Sequence, residues 1–318
     1  MEEASVEQPI KEQCENQPQI KRPQLHETAE RGDVEAVKRL LATSSVKINS
    51  TTKQGETALL LASWKGHEAV VRLLIEAHAS INLKDKDGLT PLYWASFKGH
   101  VAIVRLLIQW KADVNACDKK GFSPVLVASQ KGHESVVELL IGAGANIHLG
   151  TSESGDVPLG IAAHNGHAQT VDRLLQAKAN VNCRNKKGIS PLYAASQEGH
   201  MDIVEILIEA GAKIYLATES GDVPLGIAAE RGHLSVVKRL LQANAKVNSQ
   251  NKAGATPLYL ASLKGHVATV RLLIMMKAHV NICNKVFPMI IVKDFVTCTM
   301  SRGVIVQCML PARKATQI

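Results

Sequence analysis

The sequence predicts an all-α solenoid of about eight stacked helix-turn-helix units with β-turn or hairpin loops between them. Three observations predict it. First, Gly-His recurs at Gly66, Gly99, Gly132, Gly166, Gly199, Gly232 and Gly265, at intervals of 33, 33, 34, 33, 33 and 33 residues. Gly32-Asp33 lies 34 residues before Gly66 and reads as a divergent first copy. A fixed period of this length marks a repeat array. Second, each interval holds two short apolar stretches with helical spacing. Third, aromatic residues make up only 3% of the chain. The core is therefore built from Ala, Val, Leu and Ile, which suits small, closely packed helices.

The unit that begins at Gly88 shows the plan. Asp87-Gly88-Leu89 is a turn. Thr90-Pro91-Leu92 starts the first helix. The threonine hydroxyl accepts an unpaired N–H of the first turn. The proline takes the first helical position, where its missing N–H costs nothing. Gly99 ends the helix in a conformation with positive φ. The second helix places Val104, Leu107 and Ile108 on one face. Ala112-Asp113-Val114-Asn115 closes the unit. The same face recurs as Val71/Leu74/Ile75, Val137/Leu140/Ile141, Val171/Leu174/Leu175, Val204/Leu207/Ile208, Val237/Leu240/Leu241 and Val270/Leu273/Ile274. A single helix pair cannot bury both apolar faces, so neighbours must stack in a row.

The pattern Gly-x-Thr-Pro-Leu-x-x-Ala-x-x-x-Gly-His, closed by Ala-x-Val-Asn, resembles the ankyrin repeat family over about residues 23–285. That resemblance implies a stack whose first helices and preceding loops line a concave, protein-binding side. The chain departs from the family pattern in three ways. The family's Thr-Pro-Leu-His histidine is replaced by Tyr93, Tyr193 and Tyr259, and survives only at His26. Val157 and Val223 lack a capping hydroxyl, with Asp156 and Asp222 as substitutes one position early. The turn glycine after the second helix remains at Gly144 and Gly211. Elsewhere its place is taken by His78, Lys111, Lys178, Asn244 and Lys277, and those turns are expected to be less stable. A longer period overlies the first: Ser154–Ala163 recurs 66 residues later at Ser220–Ala229, which implies duplication of a two-repeat block.

Both ends fall outside the pattern. Residues 1–22 hold Glu2, Glu3, Glu7, Glu12 and Glu15 against three bases, without periodicity, and are expected to be disordered. Residues 286–318 form an atypical apolar tail with scattered Cys and Met, to which no function is assigned. The first residues lack the apolar core of a signal peptide, and no 18-residue apolar run appears. Six cysteines without a Cys-x-x-Cys pair fit a reducing compartment. The expected location is the cytoplasm, with the nucleus as alternative.

No catalytic chemistry is legible. Gly-x-Ser-x-Gly, phosphate-binding and dinucleotide-binding glycine motifs are all lacking, so an enzyme is not expected, nor a cofactor or a small-molecule substrate. Equivalent histidines on packed neighbouring repeats stand about 8–10 Å apart, too far to share a metal ligated at about 2.1 Å. The expected role of the Gly-His histidines is a hydrogen bond within their own turn. Cys117 and Cys183, two repeats apart, are expected to be free thiols.

Binding is read from positions a repeat leaves unconstrained: beside the turn glycine and just before Gly-His. In repeats two to four these are Trp64, Lys65, Lys86, Leu89, Phe97, Lys98, Lys119, Lys120, Phe122 and Lys131. Aromatic and apolar groups interleave with lysines, a composition that anchors interfaces. Two roles stay open for Trp64, Phe97 and Phe122: exposed anchors for an acidic, apolar partner segment, or packing against neighbouring repeats. Trp94 is expected in the core. Repeats five and seven change sign with Glu153, Asp156, Glu219 and Asp222. The leading function is a protein-binding scaffold or adaptor. The alternatives are a substrate-recognition or regulatory subunit, as in a ubiquitin ligase, and nucleic-acid binding through the lysines.

Overall fold

The computed structural model describes residues 24–43 and 46–280, together with the backbone of three strands between residues 289 and 309. Among the described residues sixteen helices form eight antiparallel pairs: α1 (Gln24–Arg31) with α2 (Val34–Leu41), α3 (Ala58–Lys65) with α4 (Glu68–Glu76), α5 (Pro91–Lys98) with α6 (Val101–Gln109), and α7 (Pro124–Lys131) with α8 (Glu134–Gly142). The array continues with α9 (Pro158–His164) and α10 (Ala168–Gln176), α11 (Pro191–Glu198) and α12 (Met201–Glu209), α13 (Pro224–Arg231) and α14 (Leu234–Gln242), and α15 (Pro257–Leu263) and α16 (Val267–Met275). First helices stack on first helices and second on second. The first helices approach one another more closely, which makes their row the concave side. One continuous core runs from Leu25 to Ala278, with Val71, Leu74, Val104, Leu107, Val171 and Val204 fully enclosed. Burying each such side chain contributes about 1.5–3 kcal/mol, set against the ordering entropy of the repeat.

The caps follow the sequence pattern closely. Thr57, Thr90, Ser123, Ser190 and Thr256 each accept a backbone N–H three residues on, the Thr90 bond to Tyr93 at 3.1 Å. Val157 and Val223 make no side-chain cap. Asp156 and Asp222 do not substitute for the missing hydroxyl. Their carboxylates face the next loop, where Asn185 donates to Asp156 at 2.7 Å and Asn251 donates to Asp222 at 2.7 Å. The five residues that replace the turn glycine all have positive φ: His78 at 63°, Lys111 at 63°, Lys178 at 64°, Asn244 at 68° and Lys277 at 64°.

Three ladders of hydrogen bonds tie neighbouring repeats. In the loops, each finger donates one backbone N–H to its predecessor: Lys86 to Gln54 at 2.9 Å, Lys119 to Asp87 at 3.1 Å, and so on to Lys252 with Ser220 at 2.9 Å. At the repeat ends, Asn49, Asn82, Asn115, Asn182 and Asn248 each accept the backbone N–H found 31 residues later, at 2.7–2.9 Å. This second ladder is interrupted where His148 and Tyr215 replace the asparagine, at the fourth–fifth and sixth–seventh junctions. A cavity of about 290 Å³ lies at the fourth–fifth junction, lined by Ile147, His148, Val157, Leu159, Cys183 and Arg184 among others.

The third ladder corrects the expectation for Gly-His. The histidines bond between repeats, not within their own turn. Nε2–H of His67 donates to the Glu30 carbonyl at 2.9 Å, that of His133 to Phe97 at 3.0 Å and that of His266 to Glu230 at 2.8 Å, with His100, His167, His200 and His233 alike. The accepting carbonyls are those left unpaired at the C-terminus of the preceding first helix. The glycine is needed twice over. At Gly99 φ is 76°, and a Cβ there would sit 2.7 Å from the His133 ring.

Beyond the repeats, β1 (Met289–Val292), β2 (Phe295–Thr299) and β3 (Ile305–Met309) form an antiparallel meander, with Ile290 opposite Thr297 and Val296 opposite Cys308. β2 and β3 lie beside α15. This sheet adds to the all-α array an element that its periodicity did not announce. The acidic segment 1–22 lies outside the described residues, as do Cys14 and the side chains of the tail.

Candidate protein-binding surface

The finger loops are shaped by Asx turns. The Asp85 carboxylate accepts from Asp87 and Leu89 N–H at 3.0 and 2.9 Å, and Asp118 accepts from Lys120 and Phe122 N–H at 2.9 and 2.7 Å. The flanking carboxylates thereby hold Leu89 and Phe122 at the concave entrance of repeats three and four. The tips of these fingers carry Lys86, Lys119 and Lys120, all exposed.

Behind the fingers lies an aromatic cluster separate from the main core. It joins Leu60, Leu89, Tyr93, Trp94, Phe97 and Val127, with Trp64 and Phe122 packed on its edge. Trp94 is its centre, 1% exposed, as expected. The ring centroid of Trp94 lies 5.8 Å from Trp64, 5.8 Å from Tyr93 and 5.7 Å from Phe97, the last two edge to face. Such arrangements add about 0.5–1.5 kcal/mol per pair beyond burial.

Of the two roles left open for Phe97 it takes packing, and Leu89, read as a binding position, is buried in the same cluster. Phe97 is 9% exposed and Leu89 7%, because Trp94 supplies a flat apolar wall that both pack against. Trp64 and Phe122 are half-buried, with part of each ring facing outward. The lysines remain exposed and several lie over the rings. Lys65 Nζ is 4.0 Å from the Trp64 centroid, and Lys131 and Lys98 lie 4.6 and 5.5 Å from that of Phe97. Lys65 also pairs with Glu30 at 3.7 Å. The result is an aromatic floor roofed by ammonium groups on repeats two to four.

The expected change of sign further along holds only in part at the surface. Glu153 and Glu219 are exposed, but Asp156 and Asp222 are half-buried and engaged by Asn185 and Asn251. Sequence reasoning passed over other exposed apolar side chains: Trp110 at 45%, Tyr215 at 64%, Leu234 at 41% and Met275 at 56%. A signal existed for Trp110, which stands where other repeats carry Ala77, Ala143, Ala177, Ala210 and Ala243.

Among the described residues no three His, Cys, Asp or Glu side chains converge on a point that could hold a metal ion. Cys117 and Cys183 are free thiols. Burial, ahead of any charge effect, pushes Cys183 up to about 11, so it stays protonated. No helix among the described residues is long and apolar enough to cross a membrane.

A family model described as ankyrin repeats, built of three copies, matches the chain over residues 25–118, 71–151, 125–218 and 214–284. A comparison with curated proteins finds no match. Since these matches span the whole array of helix pairs, the chain belongs to the ankyrin-repeat family, whose repeats are protein–protein interaction modules.

Proposed function

We propose that this chain is a scaffold or adaptor that takes a partner protein on the concave side of repeats two to four. The observation that carries this reading is the aromatic floor of Trp64, Trp94, Phe97 and Phe122 beneath Lys65, Lys98 and Lys131. Rings already held by their neighbours lose little freedom when a partner arrives, and central aromatic groups carry most of the energy of an interface. The lysines select an extended partner segment that alternates acidic and apolar residues. Its carboxylates meet the ammonium groups and its apolar side chains meet the outward edges of Trp64 and Phe122. In this reading the domain is residues 23–285, flanked by the acidic segment 1–22 and the tail 286–318, and no catalytic step is involved.

The test separates docking from packing. The partner recovered by affinity purification is measured against Trp64→Ala/Phe122→Ala and against Lys65→Glu/Lys98→Glu/Lys131→Glu. Both variants should lose it with helicity retained, since the altered side chains are half-buried or exposed. Retained binding in the charge-reversed variant overturns the proposed surface. Steep loss of random-DNA affinity with added salt, abolished by the same reversal, identifies nucleic acid as the ligand instead.

A further inference from the structure

The convex side of the last two repeats carries a second surface. Along the outer row, the sixth residue of each second helix faces the first and fifth residues of the helix before it. At the fourth–fifth junction this contact is ionic: Arg173 lies 3.0 Å from Glu134 and 3.7 Å from Glu138. At the sixth–seventh junction Arg239 lies 3.8 Å from Glu205. At the seventh–eighth junction the equivalent residues are Leu272, Leu234 and Lys238. Apolar residues also hold the sixth place at four other junctions, as Leu73, Leu106, Leu139 and Ile206, but here the place opens into an apolar groove of about 640 Å³ between α14 and α16.

Its floor is Leu234, Val267 and Leu272, and its wall is Met275. Leu234 is 41% and Met275 56% exposed, where Gln, Glu or Gly stands at the Met275 position of the other complete repeats. Lys238 and Arg271 line the groove, both exposed and neither with an acidic partner among the described residues. Neither α14 nor α16 contains any Asp or Glu. β2 and β3 lie beside α15, and the chain after β3 is basic, with Arg313 and Lys314, so its charge opposes this site.

We infer that the groove between α14 and α16 docks a short amphipathic helix of another protein, with apolar residues on one face and acidic residues flanking it. Two unmatched cations beside an apolar floor complement such a segment in both respects, and an apolar patch rimmed by charge is what a helix-in-groove contact requires. Methionine at the wall adapts to side chains of differing shape. The groove lies on the side opposite the aromatic floor, so one chain can hold two partners at once.

The full chain is titrated with a fluorescent helical peptide of about 15 residues, with leucines at spacings of three and four and glutamates on both flanks. A second peptide has lysine in place of each glutamate. The acidic peptide should bind, with the lysine peptide about ten-fold weaker or more. Leu234→Ser/Met275→Gln should abolish binding, while Trp64→Ala leaves it unchanged. Lys238→Glu/Arg271→Glu should reverse the preference between the two peptides, which a folding defect cannot do. Equal binding of both peptides, or loss in Trp64→Ala alone, overturns the proposal. So does slow peroxide oxidation of Met275 in the free chain, which shows the groove covered by the chain itself. A dimer in sedimentation that Leu234→Ser dissociates makes a second copy the occupant and overturns it equally.

Discussion

The second–third and fourth–fifth junctions join equivalent helix pairs but are held by different means. The former has every device of the array: the Asn82 bond to Asp113, the Thr90 cap, the His100 bond to Trp64 and the aromatic cluster around Trp94. The latter keeps its histidine bond, His167 to Gln130, but has His148 for asparagine, Val157 for the capping hydroxyl and a cavity at its base. In exchange it gains the Arg173 pairs on its outer face. Exposed ion pairs contribute about 0–1 kcal/mol and weaken with salt. A buried cap or bond contributes about 1 kcal/mol and does not. Equal geometry thus conceals unequal cohesion, and the binding surface proposed above sits on the firmer half.

The strongest way to break this comparison is at the aromatic centre. Trp94→Ala should destabilise the chain by about 3–5 kcal/mol in thermal unfolding, and Ile161→Ala, at the same position of repeat five but half-buried, by less than about 2 kcal/mol. Similar losses would mean the two regions are equally cohesive. Next is the glycine of the histidine ladder. Gly99→Ala meets both positive φ and the His133 ring, whereas Gly265→Ala meets positive φ of 78° with nothing within 4 Å among the described residues. The first should cost about 1–3 kcal/mol more than the second, and that difference isolates the contact from the dihedral. Then Val157→Thr, which restores the missing hydroxyl, should raise stability by about 1 kcal/mol and slow amide exchange in α9. If exchange there does not change, the cap was not what that junction lacked.

The smallest effect concerns pH. Burial first, then the nearby His167, Lys131 and His100, hold His133 below its ordinary 6.5, against the bond to Phe97 that favours its charged form. The unfolded chain therefore takes the proton first. The contribution is complete above 6.5 and declines as the pH falls through the window below it. His133→Gln should flatten the fall in Tm between about pH 7 and pH 5. An unchanged slope assigns that fall to other groups.

What the sequence made legible was local. The period is a bare repetition of residue types, and the hydroxyl caps and the five non-glycine turns with positive φ depend on residues a few positions apart, so the linear pattern predicts them. The partners of His67, Asp156 and Lys131 are 29 to 37 residues away, and only the stacking geometry brings them together. Phe97 shows the same limit. Its position in the repeat reads as surface, and its burial follows from a neighbour, Trp94, that other repeats lack. The run Met289-Ile290-Ile291-Val292, with three β-branched residues, did carry a strand signal, passed over because the tail was read only as a departure from the repeat.

The Asp156–Asn185 and Asp222–Asn251 bonds have a genetic corollary. Each joins an odd-numbered unit to the even-numbered one after it. Copying or deleting a lone unit would strand a carboxylate or an amide without its mate, whereas copying two together restores every bond at the new seam. The smallest heritable brick of this stretch is thus a doublet, and the 66-residue echo in the sequence is the trace of its having been laid twice.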